Sequence, residues 1–206
     1  MPTQPVPIVI FGAGSIVSDA HLPAYEQNNL PVIGLYDPDY EKAKALGQKF
    51  NISVFKDPAE AAAIQNCIFD LAIPPSAHHK VLELIPENSA VILQKPMGSN
   101  LSEASNILTL CRKKSLNACV NFQLRFAPMM IALKDIINKG LIGEIVDIDM
   151  WAALDTPWNL WKFLEDLPRV EILLHSIHYF DAIRFLVGNP HGVHAKTMGH
   201  PASKIS

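Results

Sequence analysis

The stretch PIVIFGAGSI, residues 7–16, decides the fold of this chain. Its apolar run, Pro7–Phe11, is continuous rather than alternating, which is typical of a strand that is buried on both faces. Gly12-Ala13-Gly14 follows directly, and a helical pattern then extends from about Ser15 to Gln27. The sequence therefore predicts a strand, a glycine turn and a helix in immediate succession.

The two glycines of this turn have different physical uses. Gly12 lets the chain turn tightly, and Gly14 lets the backbone approach a pyrophosphate closely. The helix that follows offers free N–H groups and the positive end of its dipole to phosphates. The third glycine of the usual pattern would fall where Val17 stands, so the fingerprint is partial. We predict that a dinucleotide contacts Gly12, Ala13, Gly14, Ser15 and Ile16.

An acidic residue ends the second predicted strand, Pro31–Tyr36. Asp37 lies roughly 20 residues beyond the glycines, where a carboxylate usually binds the adenosine ribose hydroxyls. A carboxylate there repels a 2′-phosphate, so NAD is the favoured cofactor. NADP stays an alternative because Lys42 would weaken that preference. The competing interpretation of the glycines is an ordinary turn between a strand and a helix.

Short apolar runs and helical patterns continue to alternate up to about residue 120. Helices are predicted from Tyr40, after the N-cap Asp57, from Ser76, and from Asn100 or Ser102. This alternation predicts an α/β fold, a Rossmann-type doubly wound parallel sheet over residues 1–120. The further strands are predicted at Ile52–Phe55, Phe69–Ile73, Ala90–Gln94 and Ala118–Phe122.

The pattern changes over residues 121–206. Helices are predicted at Pro128–Lys139 and Val170–Val187, and strands at Glu144–Ala152 and Val193–Thr197. Two strands alone are marginal. We therefore predict that this part is an incomplete α+β substrate domain.

The composition bounds the classes of function. The chain has 206 residues, 17 basic and 20 acidic, with a net charge of −3, so nucleic-acid binding is not expected. No segment reaches the roughly 20 apolar residues that cross a bilayer, and no secretory signal begins the chain. The three scattered cysteines form no CxxC pair, which favours a reducing compartment, the cytoplasm.

Two further groups of residues have candidate chemistry. Lys95 follows the strand Ala90–Gln94 at the sheet edge where ligands bind, although spacing alone favours a solvated surface lysine. His175, His178 and Asp181 are spaced to share one helix face. The imidazole could be catalytic with an orienting carboxylate, or the histidines could only pack. The sequence places no further ligand beside them, so no metal site is predicted.

Several motifs occur in an ordered series along essentially all 206 residues. Together they resemble the glucose–fructose oxidoreductase / inositol dehydrogenase (Gfo/Idh/MocA) family of NAD(P)-dependent oxidoreductases. The motifs are Gly12-Ala13-Gly14, Ala20-His21-Leu22-Pro23, Tyr36-Asp37-Pro38, Ala72-Ile73-Pro74-Pro75 with His78 or His79, Gln94-Lys95-Pro96, Asn121-Phe122 with Arg125 and Pro128, Gly140-Leu141-Ile142-Gly143-Glu144, and His178-Tyr179-Phe180-Asp181-Ala182-Ile183-Arg184.

The resemblance implies oxidation or reduction of a carbinol on a sugar, a cyclitol or a related small molecule. It implies that Lys95 touches the reacting hydroxyl, that His178 is the general acid/base, and that Asp181 is a substrate or orienting contact. It implies homo-oligomerisation through the C-terminal domain. The resemblance and the spacing together imply ten residues that contact the cofactor. These are Gly12, Ala13, Gly14, Ser15, Ile16, Asp37, Pro74, Pro75, His78 and Lys95.

Three departures from the family pattern leave an alternative open. Gln94 replaces a glutamate, and Leu174 replaces an aspartate that often lies four residues before the catalytic histidine. Proton transfer then relies on Lys95 and His178, or His175 substitutes. The chain also stops where the family's C-terminal sheet begins. The alternative is a catalytically inactive dinucleotide-binding or protein-interaction module.

Overall fold

The computed structural model describes residues 4–154, 164, 169–196 and 198. The chain divides into two compact units, a first unit Met1–Asn121 and a second unit Phe122–Ser206.

A five-stranded parallel sheet is the centre of the first unit. The strand order is β2-β1-β3-β4-β5, and every neighbouring pair is parallel, which confirms the doubly wound α/β prediction. The strands are β1 (Ile8–Phe11), β2 (Val32–Tyr36), β3 (Ile68–Leu71), β4 (Ala90–Leu93) and β5 (Asn117–Val120). The helices are α1 (Leu22–Gln27), preceded by a π-helical turn at Val17–His21, α2 (Tyr40–Phe50), α3 (Pro58–Ala62), α4 (Pro75–Leu84) and α5 (Leu101–Lys113).

Strand β1 shows why its sequence is apolar without alternation. Ile8 and Ile10 pack into a core with Leu35, whereas Val9 and Phe11 pack into a second core with other buried residues. Successive side chains of a strand point to opposite faces, so both faces of β1 are covered. This central position brings the loop after β1 to the carboxyl edge of the sheet.

The predicted strand Ile52–Phe55 forms only a single bridge, between Leu35 and Val54. Leu35 donates to the carbonyl of Ser53 and accepts from the amide of Phe55, and the pairing extends no further as a ladder. The chain then enters α3, whose N-cap Asp57 accepts from the Ala59 amide. The prediction of a full strand was wrong because the segment turns into this helix after one bridge.

The described part of the second unit is helical. It contains a 3₁₀ turn (Gln123–Phe126), α6 (Pro128–Asn138), a π-helical turn (Ile172–Ser176) and α7 (Ile177–Val187). The prediction of a strand at Glu144–Ala152 was wrong. In the predicted strand Val193–Thr197, no strand forms over residues 193–196, and Thr197 lies outside the described residues. A strand needs a neighbouring backbone, and the apolar Val146 and Trp151 remain about nine-tenths exposed there.

Within these described residues, no helix combines the length and the apolar character that a bilayer span requires.

Candidate cofactor and catalytic site

Gly12 and Gly14 differ in what their surroundings require. Gly12 has a φ of +109°, and a Cβ atom there would overlap the carbonyl oxygen of Ala72. Its amide donates to the carbonyl of Tyr36 at 2.7 Å. Gly14 has no left-handed φ, and apart from its chain neighbours and its own helix backbone no atom lies within 4 Å of the place where its Cβ would stand. The fold therefore needs the first glycine, whereas the second leaves open space for a ligand to approach the backbone.

The first helical turn presents a mixed surface beside Gly14. Ser15 and Ile16 are exposed, whereas Ala13 is buried under the loop. Val17, at the position of the third glycine, is fully buried in the core, and the helix is π-helical from this residue to His21. A π turn inside a helix is often found at functional sites. The loop and the two exposed residues thus form the surface that the sequence predicts for the pyrophosphate.

Asp37 is fixed against this loop. Its Oδ2 accepts from the Ala13 amide at 2.7 Å, and its Oδ1 accepts from the Asp39 amide at 2.9 Å. A carboxylate accepts about four hydrogen bonds, so two positions remain for ribose hydroxyls. The carboxylate that would select the cofactor is therefore held by the backbone that would bind the phosphates.

We expect the variant Asp37→Asn to lower the affinity for NADH by about tenfold, because a hydrogen bond to a charged group contributes roughly 1.5–3 kcal/mol. The affinity for NADPH should fall less, since the repulsion of a 2′-phosphate is relieved. Calorimetric titration with both cofactors measures this. Asp39→Asn is the matched control, because Asp39 caps α2 through the Lys42 amide and asparagine caps equally well. An unchanged ratio of the two affinities in Asp37→Asn would contradict the role of Asp37.

The segment after β3 contains the other residues predicted near the cofactor. Pro74 is exposed at the carboxyl edge of the sheet, and Pro75 is buried at the first position of α4. His78 is fully buried, and its Nδ1 lies 3.0 Å from the carbonyl oxygen of Met97. Burial lowers the pKa of His78, so the neutral ring donates to that carbonyl. The His78 ring thus holds the turn after β4 through Met97, and a contact between His78 and the cofactor stays a prediction.

Lys95 lies in this turn, half-buried at the end of β4. Burial lowers the pKa of the Lys95 amine. Gly98 packs against the start of α5, where a Cβ would come within 2.7 Å of the Ala104 amide nitrogen. The turn is therefore held at Met97 and Gly98, and it presents an amine that gives up its proton more readily than a solvated lysine. Such an amine is suited to binding a hydroxyl and exchanging a proton with it.

Sequence reasoning missed one buried group in this unit. Asp70 stands in β3 between apolar neighbours and is fully buried. It bonds to His21 and Tyr25. The sequence signal that could have revealed Asp70 is a single charged residue inside an otherwise apolar predicted strand.

In the second unit, α7 carries both His178 and Asp181. Asp181 is 4% exposed, and its two oxygens accept from Nε and Nη2 of Arg125, each at 2.6 Å. His178 is buried and meets the ring of Phe122 edge-on, with centroids 6.2 Å apart. The bidentate pair gives Asp181 a partner that the sequence did not assign, and this fixes α7 to the 3₁₀ turn that carries Arg125.

The neighbours of His178 on the preceding turn have different surroundings. Leu174, where the resembling family often has an aspartate, is buried in an apolar cluster with Val170 and Leu164. His175 Nδ1 lies 4.0 Å from a carboxylate oxygen of Glu171. Among the residues that the structure describes, no group of three or more histidine, cysteine or acidic side chains is arranged to hold a metal ion.

We expect Arg125→Leu to lower the free energy of unfolding by about 2 kcal/mol, because it leaves the buried Asp181 carboxylate unpaired. This loss is smaller than the roughly 3–5 kcal/mol expected for a fully buried pair, because Arg125 is itself about one-third exposed. The double variant Arg125→Leu/Asp181→Leu should recover most of the loss, as measured by urea denaturation. Lys139→Met, which breaks the exposed pair with Asp135, is the control and should change little. Equal losses in the single and the double variant would contradict this account.

Comparison with known proteins matches residues 6–122 to a family model, GFO_IDH_MocA, described as an oxidoreductase family with an NAD-binding Rossmann fold. The chain is 25% identical over 197 residues to a D-glucoside 3-dehydrogenase of Escherichia coli, covering 92% of this chain and 56% of that protein. It is 26% identical over 189 residues to a D-apiose dehydrogenase of Paraburkholderia graminis, covering 87% and 49%. The chain thus spans about half the length of the curated relatives it matches.

Solved structures share the fold. An oxidoreductase from Agrobacterium radiobacter, in complex with NAD+, L-tartaric acid and magnesium, superposes with a TM-score of 0.74 at 22% identity, covering 90% of this chain and 55% of that one. A super-repressor mutant of Gal80p from Saccharomyces cerevisiae superposes with a TM-score of 0.73 at 18% identity, covering 89% and 53%. At these identities the likeness establishes the fold alone.

Proposed function

Because the chain belongs to the GFO_IDH_MocA oxidoreductase family, whose matched region is an NAD-binding Rossmann fold, we propose that it oxidises or reduces a carbinol of a sugar, a cyclitol or a related small molecule. The cofactor is NAD, with NADP as the weaker alternative. Relatives named as dehydrogenases of D-glucosides, D-apiose and glucose 6-phosphate support a sugar-like substrate. The first unit binds the cofactor, and the second unit contributes to substrate binding.

One observation carries this proposal, the joint arrangement of Gly12, Gly14 and Asp37. The strained turn at Gly12 fits only glycine, the space at Gly14 is open, and Asp37 is bonded to the loop between them. A turn that only connected a strand to a helix would need the first glycine but neither of the other two features. Together they supply phosphate-binding amides and a hydroxyl-binding carboxylate in one place.

The chain's own residues handle the proton of the reaction. Gly12, Gly14 and Asp37 would hold NAD, which would supply the acceptor for the hydride of the carbinol carbon. Lys95 would bind the carbinol oxygen and accept the hydroxyl proton as the C=O bond forms. The family resemblance implies that His178 is the general acid/base. In the reverse direction the same groups return a proton to the oxygen. The lowered pKa of the half-buried Lys95 supports its part in this exchange.

The second unit also supports self-association, which we propose occurs through residues 122–206. The apolar side chains that this unit exposes include Phe126, Met129, Leu141, Val146 and Trp151. Exposed apolar surface favours contact with another chain, and sedimentation analysis should show a dimer or larger species.

We also propose that the protein is located in the cytoplasm. Its free cysteines, Cys67, Cys111 and Cys119, support this location because thiols stay reduced there.

A substrate screen tests the proposed reaction. Purified chain is mixed with NAD and with each of a set of aldoses, glycosides and cyclitols, and reduced cofactor is followed by absorbance. We expect NADH formation with at least one of these classes. Binding of NADH without turnover on any of them would contradict the proposed reaction and favour a module that binds the cofactor only.

A further inference from the structure

A buried polar cluster extends from α1 to the turn that carries Lys95. Its centre is Asp70, fully buried in β3 with Ile10 and Ile92 as its register neighbours. Its Oδ2 lies 2.6 Å from Nδ1 of His21 and accepts from the Tyr25 hydroxyl at 2.9 Å. Burying a carboxylate in apolar surroundings is costly unless it is paired and hydrogen-bonded. A fold that needed only packing at this position would use an apolar residue.

The hydrogen bonds of this cluster determine which atoms donate and which accept. Oε1 of Gln94 accepts from Nδ2 of Asn121 at 3.4 Å, so the amide nitrogen of Gln94 faces the other way. That nitrogen lies 3.4 Å from Nε2 of His21. Nε2 is therefore the acceptor, and the ring proton is on Nδ1, where it is donated to Asp70. The carboxylate thus fixes both the tautomer and the orientation of His21.

This arrangement also gives a physical reason for glutamine at position 94. A glutamate there would have no hydrogen to donate to Nε2, so His21 would need a proton on both nitrogens. An amide matches an imidazole that has a single proton. The side chain of Gln94 is thereby held between His21 and Asn121, immediately before Lys95.

We propose that His21, oriented by Asp70, is a positioning residue that sets the place of Lys95 through Gln94. The inference rests on the proposed function, in which Lys95 binds the reacting hydroxyl. The far end of the same turn is held by His78 through the carbonyl of Met97. Two imidazoles therefore fix the turn, one on each side of the lysine. His21 is the last residue of the π-helical turn that begins just after Ser15 and Ile16, so it connects the helix predicted to bind the cofactor to the turn of the lysine.

The test measures the pKa of Lys95 itself, by carbon-13 NMR of the reductively methylated chain, with the Lys95 signal assigned from Lys95→Arg. We expect His21→Phe to raise this pKa by about 0.5 or more toward the ordinary 10.5, because the released turn admits water. Gln94→Met should do the same while leaving the pair of His21 and Asp70 intact, so it stays informative if His21→Phe does not fold. The double variant should match the larger single effect, since both act along one path.

A matched control separates positioning from a general loss of stability. Leu46→Ala removes core volume in α2, away from the turn, and should lower stability without moving the Lys95 pKa. The inference is overturned if the Lys95 pKa stays unchanged in folded His21→Phe and Gln94→Met. It is also overturned if Leu46→Ala moves the Lys95 pKa equally.

Kinetic and binding measurements keep this inference apart from the proposed function. In His21→Phe, we expect kcat to fall by about tenfold or more while KM for NAD stays near the wild-type value. A chain that shows the Lys95 shift but binds no NADH would overturn the proposed function alone. A chain that binds and reduces NAD but shows no Lys95 shift would overturn the role of His21 alone.

Discussion

Replacing Lys95 with methionine should lower turnover by about a thousandfold, within the range that a positioned acid or base contributes. The methionine side chain has a similar length but has no group that donates or accepts a proton. Lys95 is half-buried, and burial lowers the pKa of its amine, so this amine gives up its proton more readily than that of a solvated lysine. The affinity for NADH should change by about threefold or less, because the loop and Asp37 provide most of the binding.

Two control variants make the Lys95 result specific. Lys95→Arg keeps the positive charge, but a guanidinium stays protonated in proteins, so it should be nearly as inactive as Lys95→Met. Lys80→Met removes an exposed lysine from α4 and should leave the rate unchanged. Steady-state kinetics with the best substrate of the screen gives these rates. More than about a tenth of the wild-type rate in Lys95→Met would contradict proton transfer by Lys95.

The second large effect should come from Gly12→Ala, which we expect to lower the free energy of unfolding by about 3 kcal/mol. Alanine adopts a φ of +109° only with strain, and its methyl group would overlap the carbonyl oxygen of Ala72. This contact lies between the loop after β1 and the end of β3, so neither backbone can move without disturbing the sheet. Urea denaturation measures the loss, and NADH binding should be lost with it.

Gly14→Ala is the matched partner of that variant. Nothing lies within 4 Å of the added methyl group, so the free energy of unfolding should stay the same or rise by about 0.5 kcal/mol. The affinity for NADH should nevertheless fall by about tenfold or more, because the methyl group occupies the space that a pyrophosphate needs. Equal stability losses in the two variants, or unimpaired NADH binding in Gly14→Ala, would contradict this division of roles.

The sequence was sufficient for the parts of the fold that local chemistry determines. The run Ile8–Phe11 is apolar on both faces because β1 is central, Gly12 occurs where the turn requires glycine, and Asp37 is bonded to the loop. The predicted cap Asp57 accepts from a backbone amide, and of the two candidates Asn100 and Ser102 it is Asn100 that caps α5 in the same way. The family resemblance was confirmed by the match over residues 6–122.

Features that depend on distant partners could not be predicted in this way. Ile52–Phe55 has strand-like residues, but only one bridge to β2 forms before α3 begins. Glu144–Ala152 alternates as a strand does, yet the described residues provide no neighbour for it. The burial of His78 and the pairing of Asp181 with Arg125 depend on contacts 19 and 56 residues away in the chain.

Asp70 shows the same limit for the candidate site. Its partners His21 and Tyr25 precede it by 49 and 45 residues, and no local pattern links them. An isolated carboxylate in an apolar strand indicates a buried network but does not reveal its members. Only the fold shows that the network ends beside Lys95.

Calorimetric titration of NADH into the purified chain tests the central claim most directly. We predict saturable binding of one NADH per chain, tighter than NADPH and weakened in both Gly14→Ala and Asp37→Asn. No detectable binding of either cofactor at about millimolar concentration, or equal binding in wild type and in both variants, would contradict the assignment of the glycine loop and Asp37 as the cofactor site.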